Sequence, residues 1–169
     1  MEAKAKFLGH PIHQMLIALP LGLLTTAVVF DVIHLLGAGA RWSMVADWII
    51  AAGVVGGLLS APFGFIDWLG IPAGTRAKRL GAIHGIGNVV VVVLFAVSWL
   101  LRRPSPEAPS TVAYLFSFAG FAVAGLTAWL GGELVNRLGI GVYPGAHVNS
   151  SSSLGRSPAG PPHQTTGGA

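Results

Sequence analysis

Cysteine is absent from this chain, and with it go disulfides, thiolate metal sites, iron–sulfur ligation and cysteine nucleophiles. Charge is the next scarcity. Ten Lys and Arg with six Asp and Glu make up 9% of the 169 residues, against about 25% in a soluble globular domain. The few cations form no run suited to a phosphate backbone, so nucleic-acid binding finds no support. No Gly-rich stretch follows a strand-like segment, which argues against nucleotide binding. A serine hydrolase is equally unsupported: Ser60 has no neighbouring base, and the serine run Ser150 to Ser153 lies in the tail. The balance of these patterns leans away from an enzyme and leaves the question open. What is abundant is apolar: 53% of residues are hydrophobic and the mean hydropathy is +0.69. Most of this surface is built to face lipid.

Four apolar runs predict helices over about 13–36, 45–69, 81–101 and 112–134. Each reaches the roughly 20 residues that a helix needs to cross the hydrocarbon core. Pro20 and Pro62 fall inside runs and predict bends. Ala38-Gly39-Ala40 resembles a signal-peptide cleavage site, but the preceding run is longer than a signal core, so the first segment is expected to be retained. Ala52, Gly56, Ser60 and Gly64 recur every four positions, as do Gly120, Ala124, Ala128 and Gly132. Such ridges let helix backbones approach closely, within one chain or between copies of an oligomer. The fold class expected is all-α: a four-helix transmembrane bundle over 1–143, then a disordered Ser/Gly/Pro-rich tail over 144–169.

Loop charge sets the orientation. Lys4, Lys6, Arg76, Lys78, Arg79 and Arg137 fall on one side of a four-span chain, with Arg156 further out in the tail; Arg41, Arg102 and Arg103 fall on the other. The positive-inside rule then predicts a multi-pass protein of the inner (plasma) membrane with both termini in the cytoplasm.

The same topology gathers polar residues. Helices one and three begin where helices two and four end, so His10, His13, His84 and Asn88 share a level with Asp67 and Glu133. Ionisable residues within spans are costly and mark a functional site by default. The two carboxylates sit at negative helix ends and need partners. Arg137 is expected for Glu133; Asp67 has no equally local partner, although Arg76, Lys78 and Arg79 follow closely. At the opposite end Asp31, His34 and Asp47 predict a second polar patch, bridged by Arg41. The tryptophans at 42, 48, 68, 99 and 129 are expected to anchor at the interfaces.

Three readings of the histidine layer stay open. In the first, His13 (or His10) and His84 ligate haem b from facing helices, with glycines 81, 85 and 87 leaving room. Arg76, Lys78 and Arg79 would receive the propionates, and the protein would be a small electron-transfer cytochrome. In the second, His10, His13 and His84 with Glu133 or Asp67 bind a non-haem iron, zinc or copper ion. In the third, the layer is a hydrogen-bonded register device in a structural or interaction protein without a cofactor. A transporter is disfavoured, because paired broken helices are missing.

His10-Pro11-Ile12-His13, then Ala61-Pro62-Phe63-Gly64-Phe65-Ile66-Asp67, His84 with Asn88, Trp129-Leu130-Gly131-Gly132-Glu133-Leu134 and Gly139-Ile140-Gly141-Val142 occur in that order. Together they resemble a four-span bacterial membrane family called domain of unknown function 2231, over roughly residues 9–143. Gln14 stands where the family pattern has proline. Some members carry fused Rieske-type iron–sulfur domains. The resemblance therefore implies redox surroundings and a Rieske-type protein as a candidate partner, beside the lipid bilayer itself.

Overall fold

The computed structural model describes residues 1–155. Four helices long and apolar enough to cross a membrane follow one another: α1 (Ile12–Ala38), α2 (Ala40–Leu69), α3 (Arg76–Arg102) and α4 (Thr111–Arg137). A two-stranded antiparallel hairpin, β1 (Lys6–Phe7) and β2 (His10–Pro11), precedes them. Residues 144–155 form a run of turns with exposed side chains. The rest of the expected tail, with Arg156 and His163, lies outside the described residues.

The helices are longer than the hydrophobic runs, for reasons at their ends. α3 starts at Arg76 rather than 81 because Thr75 caps it, its Oγ1 accepting the Lys78 amide at 3.1 Å. Arg76, Lys78 and Arg79 thus ride on a helical turn instead of a loop. Between α1 and α2 the expected multi-residue turn shrinks to Gly39. Gly37 and Gly39, at φ +92° and +99°, reverse the chain in a conformation that side chains resist. Pro20 cannot donate to the Leu16 carbonyl, and the ladder of α1 is interrupted one turn earlier, at Ile17. Pro62 sits inside an uninterrupted α2. The last turns of α1 and α4 widen into π-turns, His34–Ala38 and Glu133–Arg137.

α1 packs on α2 and α3 on α4 as two hairpins, joined most closely through α2 and α3. We call the end bearing Ile12, Leu69 and Arg76 the near face and the other the far face. Leu24, Ala27, Val28, Ala46, Ile50, Val91 and Phe95 form a dry core between them. Leu58, Leu59, Ile86 and Leu126 point outward and exposed, as a lipid-facing shell requires.

The second hairpin repeats the contact plan of the first. A Cβ on Gly53 would stand 2.5 Å from the Leu24 side chain, and one on Gly120 would stand 2.8 Å from the Phe95 ring. Gly64 is pressed in the same way by His13, and Gly131 by His84. Each α3 residue in this set lies 71 positions after its α1 counterpart, and each α4 residue 67 after its α2 counterpart. Asp31 and Arg102 are counterparts too, 71 apart, and they touch. Equivalent residues in contact lie beside the axis relating two copies of a unit.

Candidate functional site

On the near face His13 and His84 are held in the same manner. The His13 Nδ1 lies 3.1 Å from the Ser60 carbonyl oxygen, and the His84 Nδ1 lies 2.9 Å from the Thr127 carbonyl oxygen. A carbonyl only accepts, so each Nδ1 carries a proton, and in the neutral ring it is Nε2 that keeps the electron pair. Gly64 and Gly131, one turn beyond those carbonyls, make way for the rings: a Cβ there would come within 2.8 Å of His13 and 3.2 Å of His84. The α2 ridge therefore seats a histidine at Gly64, whereas His84 is seated by Gly131, beside the α4 ridge. Asn88 breaks the likeness, its Nδ2 donating to the His84 Nε2 at 3.0 Å. The counterpart position in α1 is Ile17.

The remaining residues of the expected layer are placed differently. His10 lies on β2, exposed, its Nε2 3.2 Å from the Ser153 hydroxyl. Pro11 precedes the helix start and removes His10 from the helix face of His13. Among the described residues Asp67 has no cation; its Oδ1 accepts the backbone amides of Lys4 at 2.6 Å and Ala5 at 2.9 Å. Glu133 pairs with Arg76 across the helices at 3.0 Å, while the expected Arg137 stands back at 4.0 Å. Lys78 donates to the Trp68 carbonyl and lies over its ring. Among the described residues no three His, Asp or Glu side chains come together as a metal-binding group. The set His10, His13, His84, Asp67 and Glu133 is thus not assembled. His13 and His84 are the two that share an environment.

The Asp67 contacts pin the N-terminal segment, whose Ala5 carbonyl also receives the Ile12 amide at 3.0 Å. Replacing Asp67 by Ala removes two charge-assisted hydrogen bonds, each about 1.5–3 kcal/mol where it is well made. Amide exchange at Lys4 and Ala5 is expected to accelerate at least tenfold by mass spectrometry, with the α3 core unchanged. Equal exchange in the variant would show that Asp67 does not hold the segment.

The far face holds a second polar cluster. Arg102 grips Asp31 with two hydrogen bonds of 2.7 and 2.5 Å, and both side chains are fully buried. Ser98 and Ser117 accept from the Nε and the second Nη2 N–H of the guanidinium at 3.3 and 3.0 Å, and Ser98 donates on to the Ala113 carbonyl. Arg103 pairs with Asp47, and Ser43 ties α2 to the Pro106 carbonyl. The bridging arginines are therefore 102 and 103. Arg41, expected in that role, lies over the Trp42 ring instead. His34 bonds to the Gly39 carbonyl and stacks on Tyr114. Of the expected anchors, Trp48 and Trp129 are well exposed, whereas Trp42 packs on Phe30 and Trp68 bonds to the Lys78 carbonyl. Sequence reasoning missed the Asp31–Arg102 pair; the shared 71-residue spacing of His13 to His84 and Asp31 to Arg102 is the signal that would have found it.

Four apolar helices enclosing a buried ion pair, with polar residues at both ends, define a four-span integral membrane protein. The chain belongs to the family described as "Predicted membrane protein (DUF2231)", whose model matches residues 9–144. No curated protein and no solved structure matches it.

Proposed function

We propose that this protein is an inner-membrane electron carrier in which His13 and His84 bind haem b. The observation that supports this reading is the doubled anchoring of Nδ1–H on a helix carbonyl. Metal-ligating histidines almost always donate their other ring N–H to such a group, which fixes the tautomer and raises ligand basicity. The donor set fits haem in kind: two imidazole Nε2 atoms, apolar helix walls, and Arg79 on the exposed side of α3 for a propionate. Bound haem would supply reversible one-electron chemistry at iron. The chain's own part would be to orient the two rings and to exclude water with its apolar core. A Rieske-type iron–sulfur protein is the proposed redox partner.

The orientation belongs to the same proposal. Among the described residues the far face presents only Arg41 and Arg103 as exposed cations, since Arg102 is fully buried. Lys4, Lys6, Arg76, Lys78, Arg79 and Arg137 favour a cytoplasmic near face.

A second reading has its own observation. Asn88 already occupies the His84 Nε2, as in a hydrogen-bonded layer that serves helix register alone. Absorption spectra of the protein purified in detergent separate the two. A Soret band that is lost in both His13→Ala and His84→Ala is the expected result. No band, and no stoichiometric metal by elemental analysis, would leave the register layer.

A further inference from the structure

We propose that the histidine layer is a duplicated imidazole site with one open half and one latched half: His13 offers an accessible Nε2, and Asn88 is a positioning residue that closes the Nε2 of His84. The metal-centre role of this site rests on the reading above; the latch itself does not.

The argument starts from what the two hairpins share. Both rings are fixed through Nδ1 to a helix carbonyl, and both lie against a glycine four residues beyond that carbonyl. With tautomer and support alike, the difference between them falls on Nε2. At His84 it accepts from the Asn88 carboxamide, one turn along the same helix face. At His13 the corresponding residue is Ile17, which has no group to donate. Among the described residues the His13 Nε2 has no hydrogen-bond partner, and its ring is only half-buried.

A ligand needing one imidazole would take His13 at once. A metal centre needing two would have to displace the carboxamide from His84. The latch also keeps the second electron pair satisfied inside the membrane when nothing is bound, where an unpaired acceptor is costly. Since a neutral hydrogen bond is worth about 1 kcal/mol net, the latch should lower His84 availability about fivefold.

The test is carbethoxylation of the full-length protein in detergent by diethyl pyrocarbonate, which attacks unprotonated, unpartnered imidazole nitrogen. Labelling is read site by site by mass spectrometry, with exposed His10 as internal reference. In the wild type His13 should label about fivefold faster than His84, and Asn88→Ala should bring His84 up to His13 while leaving His13 and His10 unchanged. Equal labelling of the two histidines in the wild type, or no change at His84 in Asn88→Ala, overturns the latch. Haemin titration of the same two proteins gives the second readout. Tighter binding in Asn88→Ala, by about fivefold, supports the latch; unchanged or weaker binding counts against it. If haemin binds to neither protein, the electron-carrier reading falls and the labelling result still decides the latch.

Discussion

Arg102→Ala is expected to cost the bundle about 3–5 kcal/mol, the loss seen when one partner of a buried ion pair is removed. The reason lies in what remains. Asp31 is fully buried, and both of its oxygens are engaged by Arg102. Without the guanidinium its charge is stranded beside Leu24, Ala27 and Val28, the apolar side of the same helix. Ser98 and Ser117, now bonded to the arginine, have no charge to offer in its place. The SDS-induced unfolding midpoint in mixed micelles should fall sharply, and much of the protein should be lost before purification. Asp31→Leu combined with Arg102→Met should regain most of the stability, since apolar replacement of a whole buried pair is often neutral or better. A single variant that unfolds at the wild-type midpoint would remove the pair from any account of this fold.

Gly120→Ala and Gly125→Ala are expected to act in opposite directions, although they lie five residues apart on α4. A Cβ at 120 would sit 2.8 and 2.9 Å from two carbons of the Phe95 ring, which is fully buried and cannot swing clear. α3 and α4 must separate to admit it, at about 1–3 kcal/mol for overpacking. A Cβ at 125 meets nothing within 4 Å. There the backbone simply loses freedom in the unfolded chain, and stability should rise by about 0.5–1 kcal/mol. The same unfolding assay reads both variants. Equal shifts would mean that the α3–α4 contact is looser than the geometry described. Gly53 is pressed as closely, a Cβ there standing 2.5 Å from a Leu24 methyl and 2.7 Å from the Leu24 Cγ, in the buried core.

The four spans and the level of the near-face histidines were legible from the sequence, because bilayer thickness and helix rise convert directly into residue counts. Helix ends were less so. The cap at Thr75 and the one-glycine reversal at Gly39 depend on single backbone conformations that hydropathy does not register. Partner choice was the least legible. Arg137 looked right for Glu133 by its spacing of four, yet the π-turn over Glu133–Arg137 changes that spacing's geometry and Arg76 takes the contact. Asp67 has no local partner in the sequence and found two backbone amides from the N-terminal segment. Arg102 read as a flank of its helix, since a charge at the end of an apolar run normally reaches for headgroups. Only its relation to Asp31 through the repeat places it inside.

The Asp31–Arg102 pair also puts a clock on assembly. Arg102 follows Asp31 by 71 residues, which at a synthesis rate of about 5–20 residues per second is a delay of roughly 4–14 s. For that interval the first hairpin must hold an aspartate with no partner. Pairing with another first hairpin through the same surface would set carboxylate against carboxylate at that point. The membrane therefore receives a provisional half-protein, soluble in lipid but unfinished, that waits for the one hairpin whose charge completes it.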